Sequence, residues 1–79
     1  MREIKENKTY RHFKGNYYRV LFIAYDAEND KDGILPKVVV YKSNHDDRIF
    51  VRGYDNFASK VDKKKYPNAD QEYRFEEVD

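Results

Sequence analysis

The sequence predicts an all-β fold, either a small SH3-like barrel or a strongly bent sheet of about five strands with one short helical turn. Short runs rich in Val, Ile, Tyr and Phe recur along the chain, turn-forming residues separate them, and no stretch shows a long helical period. The length of 79 residues allows one domain. We assign residues 1–9 to a flexible arm and residues 10–79 to a single β domain.

The first two strands are predicted on either side of a Gly-Asn turn. Residues 10–14 form a short strand candidate, and Gly15 and Asn16 then supply the turn, because both residue types tolerate a positive φ. Residues 17–25 give the strongest strand. They are apolar on both faces, so we expect this strand to be central.

The remaining elements follow an acidic loop over residues 26–33. Residues 37–42 and 48–52 are rich in Val, Ile and Phe, and the polar turn between them predicts a hairpin. Residues 54–61 have room for one helical turn. A Lys-rich loop then leads to a last strand over residues 72–76, where aromatic and charged residues alternate.

A small set of large apolar side chains must supply the core, because charged residues make up 39% of the chain. Aromatic rings offset the shortage of aliphatic residues, since each buried ring removes roughly 150–250 Å² from water. The predicted core consists of Phe13, Val20, Leu21, Phe22, Ile23, Val39, Tyr41, Ile49, Val51, Phe57 and Phe75.

Composition excludes several classes of protein. The absence of cysteine excludes a disulfide scaffold, a thiolate zinc site and a thiol nucleophile. Apolar runs are far shorter than the ~20 residues of a membrane span, and no signal-peptide pattern opens the chain, so we expect a cytoplasmic protein without membrane contact. The net charge of +1 argues against binding driven by phosphate charge alone.

Several segments resemble one bacterial family. The opening residues 10–15 read Tyr-Arg-His-Phe-Lys-Gly, and matching segments follow at residues 18–21, 38–41, 50–52, 57 and 71–75. On these residues the chain resembles the domain-of-unknown-function 1653 family over residues 10–76. The resemblance implies a compact β domain and no assigned activity.

The sequence departs from that family at four places. The family usually has Trp at the position of Phe50, Arg-Pro at Arg52 and Gly53, and Met at Asn56. Its turn after the long strand is typically short, whereas residues 26–33 here form a longer acidic loop.

That acidic loop has part of the pattern of a calcium site. Glu28, Asp30 and Asp32 alternate and precede Gly33, as in the opening of a calcium loop. The twelfth position from Glu28 is Val39, inside a predicted strand, where a calcium loop needs a bidentate Glu. We therefore expect a solvated loop and no metal or cofactor.

The two histidines, His12 and His45, are the candidates for acid–base catalysis. The chain has two serines, Ser43 and Ser59, and neither lies in a nucleophile motif. We therefore expect no enzymatic activity.

The most informative pattern is the interleaving of arginine with aromatic residues. Arg and Tyr are favoured in protein-binding surfaces, and the same pair stacks bases and contacts phosphate. We predict a non-enzymatic interaction module that binds a protein or peptide, with an RNA- or DNA-binding module as the alternative; rings that fill the core beside solvated cations would produce the same composition. The candidate binding residues are Tyr10, Arg11, His12, Arg52, Tyr54, Tyr73 and Arg74.

Overall fold

A computed structural model describes residues 2–78 and confirms a small all-β fold. The elements are β1 (Thr9–His12), β2 (Tyr17–Tyr25), β3 (Lys37–Ser43), β4 (Ile49–Gly53), α1 (Tyr54–Phe57) and β5 (Phe75–Glu77). Each predicted strand has its counterpart, and the helical turn lies where it was expected. Met1 and Asp79 lie outside the described residues, so the outer limits of the arm and the domain remain predictions.

The five strands form one open antiparallel sheet in the order β4-β3-β2-β1-β5. The strands β4 and β5 are its two edges, so the sheet does not close and the SH3-like form is not confirmed. It nevertheless curls toward its inner face, the face that carries the core. The Arg52 guanidinium of β4 lies 5.4 Å from the centre of the Phe75 ring of β5.

The core is largely aromatic. The buried hydrophobic side chains are Ile4, Tyr10, Val20, Val39, Tyr41, Phe57, Ala58, Val61 and Phe75. Five of these were predicted: Val20, Val39, Tyr41, Phe57 and Phe75. Two of the other predicted residues on β2, Leu21 and Ile23, are only partly buried, as is Phe13 beyond β1.

The predicted burial of Phe22 is wrong, because a β-bulge changes the alternation of β2. Val20 pairs with Tyr41, whereas Phe22 pairs with the next residue of β3, Val40, so Leu21 is an extra residue. Uninterrupted alternation from Val20 would turn Phe22 inward. The bulge turns it outward, where it is 61% exposed, and Ile23 takes the inward position.

The predicted burial of Ile49 and Val51 is also wrong. Phe50 pairs with the buried Tyr41, which places the side chain of Phe50 on the inner face. The residues on either side of it therefore point outward, and Ile49 and Val51 are 61% and 66% exposed. A short run that is apolar at every position does not reveal which residues face the core.

The segment that we expected to be a flexible arm packs against the domain. Ile4 is buried, and its backbone N–H donates to the hydroxyl of Tyr54 at 2.8 Å. The N–H of Asn7 donates to the carbonyl of Val20, also at 2.8 Å. The described residues before β1 are therefore part of the domain.

Candidate functional site

The structure brings together three of the seven predicted binding residues, His12, Arg52 and Arg74. The two guanidinium groups both act on the His12 imidazole electrostatically, together with the ammonium of Lys14. His12 is the last residue of β1, Arg52 belongs to β4, and Arg74 precedes β5. Arg52 is placed there by the Phe75 ring, which it approaches to 5.4 Å and which packs against His12 with 4.9 Å between centroids; Arg74 lies within electrostatic range of His12.

The side chain of Tyr10 lies in the core. Its side chain is only 1% exposed, and its hydroxyl accepts a hydrogen bond from the N–H of Lys5 at 2.9 Å. Its ring packs edge-on against Phe57, with 5.5 Å between centroids. Tyr10 therefore offers no surface to a partner.

Arg11 points away from His12, because consecutive strand residues alternate between the two faces. Its Nη1 donates to Oδ1 of Asp70 at 3.1 Å and to the side-chain oxygen of Gln71. Gln71 is buried and donates back to the carbonyl of Arg11 at 3.0 Å. These contacts tie the loop before β5 to β1, and they separate Arg11 from the other two arginines.

Tyr54 and Tyr73 each have a partner in the N-terminal segment. The hydroxyl of Tyr54 accepts from the N–H of Ile4, and Lys37 lies 5.5 Å from the centre of its ring. The Arg2 guanidinium lies 4.3 Å from the centre of the Tyr73 ring. Both tyrosines thus hold the N-terminal segment in place.

Arg52 and Arg74 are fixed by uncharged partners. The Nε of Arg52 donates to the Tyr41 hydroxyl at 3.0 Å, and its Nη1 donates to Oδ1 of Asn56 at 2.7 Å. The Nε of Arg74 lies 3.3 Å from the Oγ of Ser59. Within residues 2–78 neither guanidinium has a carboxylate within 4.0 Å, so both retain donors for an anion.

The pKa of His12 is lowered both by burial and by the positive charges around it. Its pKa falls from the ordinary 6.5 to about 4, mainly because burial disfavours the charged imidazolium, and further because Arg52, Arg74 and Lys14 repel it. Its Nδ1 accepts the N–H of Lys14 at 3.1 Å, which places the proton of the neutral ring on Nε2. His12 is therefore a neutral donor at pH 7.

A row of partly exposed rings runs through His12. Phe50 and Tyr18 are 6.2 Å apart between centroids, and Tyr18 and His12 are 6.4 Å apart. His12 stacks on Phe13 at 4.5 Å, and Phe13 contacts Tyr66 at 4.8 Å. We call this row and the cations beside it the aromatic–basic face; its cations are Lys14, Arg48, Arg52, Lys65 and Arg74.

Sequence reasoning missed the end of this face formed by Tyr66 and Lys65. The sequence predicts only a Lys-rich loop there; in the structure this loop folds back, so that Lys14 lies 5.3 Å and Lys65 5.6 Å from the centre of the Tyr66 ring. A pocket of about 360 Å³ lies there, lined by Phe13, Lys14, Lys65, Tyr66, Pro67, Asn68 and Ala69.

The chain matches the family profile described as a protein of unknown function (DUF1653) over residues 8–77. It belongs to this family. The comparisons with curated proteins and with solved structures gave no match. The DUF1653 description names no activity, ligand or partner.

The described part of this DUF1653 protein contains no group of three or more side chains able to hold a metal ion. In the acidic loop, the two carboxylate oxygens of Asp26 already accept from the Glu28 N–H at 3.1 Å and from the Asn29 side chain at 2.7 Å. Within residues 2–78 no helix is long and apolar enough to cross a membrane.

Proposed function

We propose that this DUF1653 protein is a non-enzymatic interaction module that binds an acidic segment of a protein partner on its aromatic–basic face. The observation that carries the proposal is that Arg52 and Arg74 both lie close enough to His12 to act on its charge. Neutral groups orient both guanidinium groups, and no carboxylate of the described residues neutralises them. A carboxylate that binds there would meet oriented, charge-assisted donors, which form shorter and stronger hydrogen bonds than neutral donors.

The rings support a protein partner more than a nucleic acid. Base stacking requires open ring faces along a row. Here the planes of His12 and Tyr18 meet at 72°, and those of Tyr18 and Phe50 at 80°, so these rings pack against one another edge to face. Ring edges and guanidinium groups suit carboxylate and aromatic side chains of a peptide.

A second candidate function uses the same surface. Five cations beside partly exposed rings also provide a path for the backbone of single-stranded RNA or DNA. The Glu76 carboxylate lies away from this surface, because Glu76 pairs in register with Arg11, which points away from His12. Binding of nucleic acid must therefore be measured separately.

The test is a peptide array probed with the wild-type domain, with Arg52→Gln plus Arg74→Gln, and with Arg19→Gln as a control for the loss of an arginine elsewhere. Arg19 is exposed on the opposite face of the sheet and has no ion pair within residues 2–78. We expect the wild type and the Arg19 variant to select the same acidic peptides and the double variant to lose them. Equal selection by all three proteins, or none by the wild type, would refute the proposal.

Two further measurements distinguish a peptide partner from a nucleic acid. Both start from the wild-type protein, so they do not depend on the folding of the double variant alone. A bound carboxylate offsets the cations around His12, so saturating peptide should raise the pKa of His12 in the wild-type protein, as followed by NMR. Mixed single-stranded RNA and DNA should bind weakly at low salt. Micromolar binding that disappears with salt and in the double variant would replace the peptide proposal with the nucleic-acid one.

A further inference from the structure

The outer face of the sheet, opposite the core, carries an uncovered apolar row. Phe22, Val40 and Val51 lie side by side across β2, β3 and β4, as their pairing shows. Phe22 and Val51 are 61% and 66% exposed, and Ile49, one row further along β4, is 61% exposed. This arrangement follows directly from the bulge in β2, which turns Phe22 onto the same face as Val40.

The size of this patch is informative. With roughly 100 Å² exposed on each large side chain, the row and its neighbours present on the order of 400 Å² of apolar surface. That is at the upper end for a monomer, and about half of the ~800 Å² that each partner contributes to a standard interface. A stable complex on this face therefore also needs contacts beyond the apolar row.

The two ends of the same face carry opposite charges. At one end Arg19 pairs in register with Lys42, so two cations stand beside each other on the outer face. Lys42 also lies 3.6 Å from Oδ1 of the exposed Asp47, whereas Arg19 has no ion pair within residues 2–78. At the other end β2 and β3 lead into the acidic loop, whose carboxylates have no ion-pair partner within residues 2–78. These carboxylates are those of Asp26, which is partly exposed, and of Glu28, Asp30 and Asp32, which are exposed.

The charges are placed almost evenly about the apolar row. Arg19 lies three residues before Phe22, and Asp26 lies four residues after it, which corresponds to roughly 10 and 13 Å along the strand at ~3.3 Å per residue. A twofold axis lying along the apolar row would reverse the strand direction of a second copy. Each basic end would then stand over the acidic loop of the other copy, with the two sheets about 10 Å apart.

We propose that a second copy of this chain covers the outer face, giving a twofold face-to-face dimer in which the apolar rows meet and each Arg19–Lys42 pair contacts the partner's acidic loop. Each chain carries both a basic and an acidic end on this face, so the face is complementary to itself, as a twofold contact requires. The aromatic–basic face lies on the other side of the sheet and stays open in this dimer.

The first experiment is sedimentation of the wild-type chain from low micromolar to millimolar concentration, beside Val51→Lys and a charge-matched control, Asn68→Lys, in the exposed loop before β5. We expect a dimer of twice 9.6 kDa for the wild type and the control, and at least a tenfold higher dissociation constant for Val51→Lys. A wild-type chain that stays monomeric up to millimolar concentration would overturn the proposal.

A charge swap tests the predicted orientation. Arg19→Glu plus Lys42→Glu makes both ends acidic, and Glu28→Lys plus Asp30→Lys makes both ends basic, so each variant alone should be monomeric. An equal mixture should recover the dimer, because each altered end then meets an opposite charge. Dimers that survive in either variant alone, or a mixture that stays monomeric, would contradict this orientation; the first result would indicate pairing through the free edge of β4. Lys60→Glu plus Lys64→Glu, on the segment after α1, gives the same charge change as the acidic variant and should remain dimeric.

Discussion

The rings of Phe57 and Phe75 lie parallel, with planes 4° apart and centroids 3.9 Å apart. Phe57 ends the short helix α1 and Phe75 begins the last strand, so this contact joins two elements that have no backbone pairing with each other. Both side chains are almost completely buried. Tyr41 and Tyr10 pack edge-on against Phe57 and enclose the pair.

Replacement of Phe57 by Ala should therefore remove a large part of the stability of the domain. We expect a loss of about 3–5 kcal/mol, which approaches the whole free energy of unfolding of a small domain. Phe22→Ala is the matched control, because the same substitution on the outer face should change stability by less than about 1 kcal/mol in the monomer. Urea unfolding at low protein concentration measures both, and equal losses would show that the core assignment is wrong.

The N-terminal segment gives a second prediction. Ile4→Ala should cost about 2–5 kcal/mol, because Ile4 is only 3% exposed and belongs to the main core cluster. Glu3→Ala changes an exposed neighbour and should have little effect. Thermal melts of both variants are sufficient, and an unchanged Ile4 variant would favour the flexible arm that the sequence suggested.

The turn between β1 and β2 gives a third prediction. Gly15 has a φ of +108°, which an L side chain rarely adopts, although nothing lies within 4 Å of an added Cβ. Gly15→Ala should therefore destabilise the domain by about 1 kcal/mol or more through backbone strain alone. Gly53→Ala is the control, since Gly53 has a φ of −55° and equally open surroundings. Its unfolding midpoint should stay the same or rise, and a parallel loss in both variants would exclude strain as the cause.

His12 makes stability depend on pH in a defined window. Its pKa in the folded protein, about 4, is below its ordinary 6.5, so the unfolded chain takes up the proton first as the pH falls. The stabilisation by the neutral ring is complete above pH 6.5, falls progressively as the pH drops below that value, and is lost once the pH has fallen through about 4. Between pH 7 and 5 we expect a loss on the order of 1 kcal/mol, after allowance for the partial exposure of the ring.

Urea unfolding at pH 7, 6 and 5 measures this effect, with His12→Gln as the comparison. The variant should show a flatter dependence on pH over this range. Asp26 and Asp46 do not interfere, because hydrogen bonds lower their pKa values below 3.8, and their contributions are lost only at more acidic pH. A variant that loses stability as steeply as the wild type would show that another group is responsible.

The strands could be predicted from the sequence because each is a short run of β-branched and aromatic residues between turn residues. The predicted bounds of β2, residues 17–25, agree with the structure. The faces of the strands were harder to predict. The bulge at Leu21 depends on how β2 pairs with β3, and no local feature of residues 17–25 predicts it.

Part of the candidate site could also be predicted from the sequence. His12, Arg52 and Arg74 stood out as polar residues in or beside strands, and the fold brings them together. Alternation along β1 separates Arg11 from His12, and it turns Tyr10 into the core. The contact between Phe13 and Tyr66 joins residues far apart in the chain, so only the folded structure reveals it.

The pairing of β1 with β5 has a consequence for folding kinetics. Tyr10 lies opposite Glu77, so this contact closes a loop that includes nearly the whole chain, whereas β2, β3 and β4 pair through short connections. Closing a long loop has a high entropic cost, and the contacts that require it are expected to form after the local hairpins. Truncation of Phe75 should therefore act mainly by accelerating unfolding and should leave the refolding rate nearly unchanged.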